Sequence, residues 1–131
     1  MTSDWEDALF ALCPIIYREN DKTLMMYGFC YDMGWLNLTI NYSLKLEKLA
    51  RKQRHPKVQV AQAKEKFGTC NIYLTNGTKE MYNLMYELEE ESRRTCESCG
   101  KSNNLIRPEG PGWIRTLCEE CKDRRNTKLK F

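Results

Sequence analysis

Four cysteines near the C-terminus have the spacing expected of ligands to a single metal ion. Two Cys-x-x-Cys pairs are separated by eighteen residues, and their members are Cys96, Cys99, Cys118 and Cys121. A Cys-x-x-Cys turn brings two thiolates to one ion, and zinc takes four such ligands in a tetrahedron. Two pairs at this separation match the general pattern of structural zinc sites. The sequence therefore predicts a four-cysteine site for Zn²⁺, with iron as the less favoured metal.

Other uses of paired cysteines fit this sequence less well. A redox dithiol needs a thioredoxin-like βαβ context, which the surrounding pattern does not show. The cysteine spacings of ferredoxin-type iron–sulfur clusters are also absent. Because four protein ligands fill the zinc tetrahedron, no position remains for the water molecule that a catalytic zinc needs. We therefore expect the metal to have a structural role.

The remainder of the chain shows no catalytic constellation. Its one histidine, His55, stands beside Pro56 and far in sequence from the cysteines. We find no nucleophile–base pair, no phosphate-binding loop and no paired-carboxylate motif. The sequence thus predicts a protein that is not an enzyme.

The other cysteines and the chain's N-terminus bear on its compartment. Cys13, Cys30 and Cys70 lie among apolar neighbours and are predicted to be buried thiols. Seven cysteines in this arrangement do not suit a disulfide scaffold. The acidic N-terminus does not resemble a secretory signal, and no stretch reaches the roughly 18 apolar residues of a membrane helix. We expect a cytoplasmic protein that makes no membrane contact.

Apolar periodicity predicts an α+β fold before the cysteines. Residues 35–52 fit both a strand and a helix, and we predict a helix because their second half is rich in strong helix formers. Alternation on both sides of Phe67–Gly68 predicts a β-hairpin over about 58–75. Thr78 is expected to cap a helix that carries one apolar stripe and continues to about Arg94.

These elements divide the chain into two predicted parts. The first is a small domain of helices and a β-hairpin over residues 1–94, and the second is a four-cysteine zinc finger with a basic tail over 95–131. A chain of 131 residues is long enough for one compact domain and a small satellite. One shared core is predicted to contain Trp35, Leu38, Ile72, Leu84 and Leu88.

The cysteine-rich segment resembles a treble-clef finger of the GATA type. The resemblance rests on the Cys96-x-x-Cys99-Gly100 start, the central Trp113 and the Leu117-Cys-x-x-Cys121 ending. It implies a knuckle, a β-hairpin and a helix that carries the second cysteine pair. The segment departs from GATA-type fingers at Glu119–Glu120 and lacks their basic residues around the tryptophan. The resemblance therefore implies a fold and does not imply base recognition.

The order of features along the chain is similar to that of a family of small phage and prophage proteins. Besides the two cysteine pairs and Trp113, the shared marks are Gly34–Trp35, Lys64-Glu-Lys-Phe-Gly68 and Glu91–Ser92. The resemblance covers about residues 34–122. After Gly68, this chain has Thr-Cys-Asn where basic and aromatic residues are expected. The resemblance implies a phage origin and provides no activity and no catalytic residue.

Charge is unevenly distributed in a chain whose net charge is only +3. Residues 45–66 contain eight basic and two acidic side chains, and the C-terminal tail is also basic. This asymmetry is compatible with a polyanionic partner and also with an ordinary solvated surface. Contacts to such a partner are expected from Lys52, Arg54, Arg107, Arg115, Arg124, Arg125 and Lys128.

Two functions compete on these observations. We predict an accessory protein that binds a host protein complex and modulates or inhibits it, in a regulatory or counter-defence role; this rests on analogy with small phage proteins. The alternative is nucleic-acid binding through the basic finger and the Lys45–Lys66 segment. Stacking on Tyr73, Tyr82 and Tyr86 would assist that alternative, although burial is the favoured interpretation for these tyrosines.

Overall fold

A computed structural model describes residues 2–102, 105–106 and 114–129 of the protein. Within these residues the chain has a mixed α+β fold with a three-stranded sheet and a two-stranded sheet, which confirms the α+β part of the predicted fold. The helices and strands are α1 (Asp4–Leu12), β1 (Phe29–Cys30), α2 (Leu36–Lys52), β2 (Gln59–Lys66), β3 (Thr69–Thr75), α3 (Lys79–Ser92), β4 (Leu105–Ile106), β5 (Leu117–Cys118) and α4 (Glu119–Leu129). Short 3-10 helices precede α2 at Asn20–Lys22, Leu24–Tyr27 and Met33–Trp35.

The ambiguous segment after Trp35 is a helix, as predicted. Its buried apolar positions recur every four residues, at Leu38, Tyr42, Leu46 and Ala50. A strand-like alternation of the same segment would place Leu44 on one face with Tyr42 and Leu46, but Leu44 is exposed on the opposite face of α2. The helical period therefore describes the buried stripe, and the alternation of leucines does not correspond to burial.

The three-stranded sheet has the order β1-β2-β3. β2 and β3 form the predicted antiparallel hairpin, with Lys66 opposite Thr69 at its tip. β1 pairs with β2 in parallel and consists of only two residues, so the sequence pattern did not indicate it. α3 packs on β3 and α2 packs on α3, and these contacts enclose the main core.

The main core contains four of the five predicted side chains, and Leu84 is partly buried against it. Cys13 and Cys70 are fully buried, and burial raises the pKa of each thiol to about 12. Cys30 is exposed, so its predicted burial is wrong. It lies at the end of β1 opposite Lys64, and the partly apolar sequence around it does not reveal which way a two-residue strand faces.

The helix α3 begins where the sequence placed it, after Thr78, whose hydroxyl accepts a hydrogen bond from the amide of Met81. Its apolar stripe is buried, whereas Tyr82 and Tyr86 are 47% and 66% exposed, so the predicted burial of these two tyrosines is wrong. Tyr73 on β3 is partly buried. Among the described helices, none has the length and apolarity needed to cross a membrane.

Two buried carboxylates hold the N-terminal segment on the rest of the fold. Glu47 of α2 accepts hydrogen bonds from the amides of Ile15 at 3.2 Å and Ile16 at 3.1 Å, just after α1 ends. Glu6 of α1 accepts a hydrogen bond from the amide of Phe29 at 2.7 Å. Both carboxylates therefore satisfy backbone donors that link segments distant in sequence.

Candidate metal centre

The four predicted ligands lie together in the structure. One ligand atom from each of Cys96, Cys99, Cys118 and Cys121 can be chosen so that all lie within 4.8 Å of one another. The sulfur atoms of Cys99 and Cys118 are 3.6 Å apart. Sulfurs at a zinc–sulfur distance of about 2.3 Å on a regular tetrahedron are about 3.8 Å apart. The cluster therefore has the dimensions of a site that could hold one metal ion.

The first cysteine pair belongs to a tight turn after α3. The amide of Gly100 donates to the carbonyl of Cys96 at 2.9 Å, and Gly100 has a φ of +88°, a conformation that glycine adopts without a steric cost. The amide of Cys96 donates to the carbonyl of Lys101 at 2.7 Å. These bonds close the chain around the first two sulfurs.

The second cysteine pair lies at a strand-to-helix junction. Cys118 is in β5, where it pairs with Leu105 of β4, and Cys121 is in the first turn of α4. Cys96, Leu117, Cys118 and Cys121 form a small buried cluster separate from the main core, and Cys99 is exposed at its edge. The ligand atoms are therefore positioned by three different elements and are mostly shielded from water.

Backbone amides around the cluster favour the thiolate form of one ligand. Burial acts to raise the pKa of the Cys96 thiol, but hydrogen bonds from the backbone of Cys118, Cys99 and Ser98 outweigh it and lower the pKa. The thiolate is the form that binds a metal ion. Burial raises the pKa of the Cys99 and Cys121 thiols, so the hydrogen bonding favours the thiolate at Cys96 and not at these two residues.

Gly34 and Trp35 contact the backbone around the first cysteine pair. The amide of Gly34 donates to the carbonyl of Glu97 at 2.7 Å, and the indole nitrogen of Trp35 donates to the carbonyl of Thr95 at 2.9 Å. A Cβ atom on Gly34 would overlap the carbonyl groups of Cys96 and Glu97. The Gly34–Trp35 motif is thus the surface on which this turn packs.

A second set of contacts is ionic and surrounds Glu97, which is 4% exposed. Its carboxylate accepts hydrogen bonds from the amide of Asp32 at 3.1 Å and from Nε of Arg115 at 3.2 Å. Arg115 also forms an ion pair with Asp32. Burial raises the pKa of the Glu97 carboxyl, and the Asp32 amide and Arg115 act in the opposite direction.

A third contact joins the second cysteine pair to the hairpin. The hydroxyl of Thr116 donates to the carbonyl of Gly68 at 2.6 Å, and the amide of Glu97 donates to the carbonyl of Thr116 at 2.9 Å. Gly34, Trp35 and Gly68 were among the marks of a resemblance, but the sequence did not predict that Glu97 and Thr116 are buried. Their types are common at surfaces, so no sequence signal indicates that these two side chains are buried.

The basic residues named as candidate contacts do not form one surface among the described residues. Lys52 and Arg54 are exposed at the C-terminal end of α2, where His55 bonds to the carbonyl of Asn76. The cysteine cluster lies at the other end of α2, next to Trp35. A helix of 17 residues is about 25 Å long. Lys52 and Arg54 are therefore far from the cluster.

The basic residues of the cysteine-rich segment have other partners or lie outside the description. Arg115 pairs with Glu97 and Asp32, and Arg124 pairs with Glu120 at 3.3 Å. Arg107 and Trp113 lie outside the described residues, as do the side chains of Arg125 and Lys128 in α4. The division of the chain after residue 94 stays a prediction, although contacts do cross it at Gly34, Trp35 and Gly68.

The fold and the site together define a class of protein. It is an α+β protein whose three-stranded sheet is accompanied by a cluster of four cysteines that could hold a metal ion. Comparison of the chain with protein-family models, with curated proteins and with solved structures finds no match.

Proposed function

We propose that the protein is a non-enzymatic zinc-binding protein of phage type that binds and modulates a host protein complex. The observation that carries the metal assignment is the set of four thiols within 4.8 Å of one another. Thiolate ligands in a tetrahedral set select zinc or iron over hard cations such as Mg²⁺ and Ca²⁺. A set of four protein ligands also leaves no open position for a reacting water, which supports a structural role.

We further propose that the cysteine-rich segment is a treble-clef-like finger. Its support is the order of the described elements: the turn ending at Gly100, the antiparallel pair of β4 and β5, and α4 with Cys121 in its first turn. That order is the one expected from the resemblance to GATA-type fingers. The metal would then hold the strand pair and the helix to the turn.

The proposal of a protein partner rests on exposed apolar side chains. Leu24, Met26 and Tyr27 are all exposed on one short 3-10 helix. Leu24 and Met26 line a cavity of about 520 Å³ together with Ala61 and Tyr73 of the sheet. Exposed apolar patches next to a cavity are typical of binding surfaces, and methionine adapts readily to different partners.

The metal assignment is tested by metal analysis and native mass spectrometry of the full chain. We expect one zinc per chain. Cys99→Ser and Cys118→Ser should each lose it and unfold residues 95–125, because metal binding contributes about 10–16 kcal/mol in such sites. Cys30→Ser is the control, since this exposed thiol lies outside the cluster and its loss should leave the zinc content unchanged. A folded wild-type protein that contains no metal would contradict the assignment.

The partner assignment is tested by capture from host lysate, with and without nuclease treatment, using two matched variants. Leu24→Asp places a charge in the apolar patch, whereas Leu12→Asp places it on another exposed leucine at the end of α1. We expect the wild type and Leu12→Asp to capture the same protein, and Leu24→Asp to lose it. Capture that disappears after nuclease treatment would favour the nucleic-acid alternative.

A further inference from the structure

We propose that metal binding and the docking of the cysteine-rich segment on Gly34, Trp35 and Gly68 are one coupled equilibrium. In this proposal, which rests on the proposed metal site, the docking contacts are part of what determines metal affinity. The docking contacts are defined as the hydrogen bonds from Gly34, Trp35 and Asp32 to the first cysteine turn and the bond from Thr116 to Gly68. Metal occupancy then controls the order of the surface formed by the hairpin tip and the turn before α2.

The closest of these contacts is made by backbone alone. Gly34 does not have a positive φ, so its backbone conformation does not require glycine. A side chain is excluded there because no space is left for a Cβ atom. The space is occupied by the carbonyl groups of Cys96 and Glu97, and the first of these belongs to a metal ligand. The position of Cys96 is therefore determined partly by a residue more than sixty positions earlier in the chain.

The two halves of the metal site reach the α+β layer separately. The first cysteine pair is connected through Trp35, whose buried indole also contacts Tyr31 edge-on with ring centroids 5.4 Å apart. The second pair is connected through Thr116, a fully buried residue two positions before Cys118. A metal ion that holds the two pairs together therefore holds both contacts in place at once.

Without the metal, the two pairs are joined by weaker contacts, namely the hydrogen bond from the amide of Glu97 to the carbonyl of Thr116 and the ion pair of Glu97 with Arg115, so the docking contacts should open more readily. Thermodynamic linkage makes this relation reciprocal. The factor by which metal favours docking equals the factor by which docking raises metal affinity. A variant that opposes docking and leaves all four ligands intact must then weaken metal binding.

Zinc affinity of the full chain, measured by competition with a chromophoric chelator, tests this relation. Gly34→Ala should raise the zinc dissociation constant by about tenfold or more, within the usual range of coupling. Gly77→Ala is the matched control, because its new Cβ would meet the flexible Tyr82 side chain at 3.1 Å and lies far from the cluster. We expect an effect of Gly77→Ala below about twofold. Equal zinc affinity in the two variants would overturn the proposal.

A second variant covers the case in which Gly34→Ala fails to fold. Thr116→Val keeps the shape of the side chain and removes the donor to Gly68, and Thr75→Val is its control on an exposed threonine. Zinc affinity should fall by about fivefold for Thr116→Val and remain unchanged for Thr75→Val. No difference between these two variants would contradict the coupling.

Amide hydrogen exchange measures the opening of the docking contacts directly, which a measurement of metal content does not. The amides of Asp32 and Gly34 both donate to Glu97. Chelation of zinc should speed their exchange, while amides in the middle of α2 keep their protection and show that the chain remains folded. Unchanged exchange at Asp32 and Gly34 after zinc loss would show that docking does not depend on the metal and would overturn the coupling. That result is distinct from a wild-type protein that binds no zinc, which would overturn the metal assignment and the coupling together.

Discussion

Several charged side chains in this protein form hydrogen bonds or ion pairs within the fold and do not face the solvent. Glu47 and Glu97 are 4% exposed, and each accepts hydrogen bonds from amides of another segment. Arg115, which the sequence suggested as a contact to a partner, is occupied by Glu97 and Asp32. A buried charge is tolerated only where it is paired or hydrogen-bonded, and Glu47, Glu97 and Arg115 all meet this condition. These side chains therefore stabilise contacts between segments that are distant in sequence.

We predict that Glu47→Ala lowers the free energy of unfolding by about 3 kcal/mol, because it leaves the amides of Ile15 and Ile16 without an acceptor. Glu47→Gln keeps an acceptor oxygen and should recover part of the loss. Chemical denaturation of the full chain in a buffer that contains zinc salt measures both effects. Glu87→Ala on the exposed surface of α3 is the control and should change stability by less than about 0.5 kcal/mol. Equal stability of the Glu47 and Glu87 variants would contradict the anchoring role.

The β2–β3 hairpin turns through two residues that both have a positive φ, 51° at Phe67 and 81° at Gly68. This is the type I′ geometry, in which the first central position favours asparagine, aspartate or glycine. Phenylalanine at that position is strained, and its side chain is 68% exposed. The amide of Gly68 donates to the Glu65 carboxylate at 3.0 Å, which holds the turn in this conformation. The hairpin therefore tolerates a residue that local preferences disfavour.

We predict that Phe67→Asn raises the free energy of unfolding by about 1 kcal/mol, because asparagine adopts the left-handed conformation at lower cost. Thermal unfolding of the full chain in a buffer that contains zinc salt is the measurement. Phe67→Ala separates conformation from the contacts of the ring, since alanine removes the ring and keeps the conformational cost. It should therefore not be stabilising. A stability of Phe67→Asn at or below that of Phe67→Ala would show that the turn does not carry the strain.

The basic charge of the protein is distributed over both ends of the molecule. Within the described residues, Lys48, Lys52 and Arg54 have no ion-pair partner, whereas Lys101, Arg115 and Arg124 are paired with carboxylates. These three residues lie toward the end of α2 that is distant from the cysteine cluster. Of the candidate contacts in the cysteine-rich segment whose side chains the structure describes, Arg115 and Arg124 are already paired, and we therefore favour a protein partner over nucleic acid.

We predict only weak binding of a fluorescent single-stranded oligonucleotide, with a slope of log affinity against log salt smaller than about 2 in magnitude. Each neutralised phosphate contributes about 0.7 to that slope for single strands, so few contacts give a shallow dependence. Fluorescence anisotropy over a salt series is the measurement. A steep slope that Lys52→Ala and Arg54→Ala together flatten, while Arg124→Ala does not, would replace the proposed function with nucleic-acid binding at the far end of α2.

The elements that could be predicted are those whose determinants are close together in the sequence. The helix at Leu36–Lys52 follows from its apolar period and its helix formers, and the hairpin follows from alternation on both sides of Phe67–Gly68. The four cysteines could be grouped because a Cys-x-x-Cys turn forms from adjacent residues. In each case the physical signal extends over a few residues, and the surrounding fold does not have to be known.

The features that could not be predicted depend on which segments meet. The exposure of Cys30, the burial of Glu47 and the pairing of Arg115 each result from contacts with residues distant in the chain. Gly34 looks in sequence like a break between two elements, yet its role is to leave space for the turn around Cys96. Burial and close approach are properties of packed surfaces, and a residue's own type and neighbours do not specify the surface it will face.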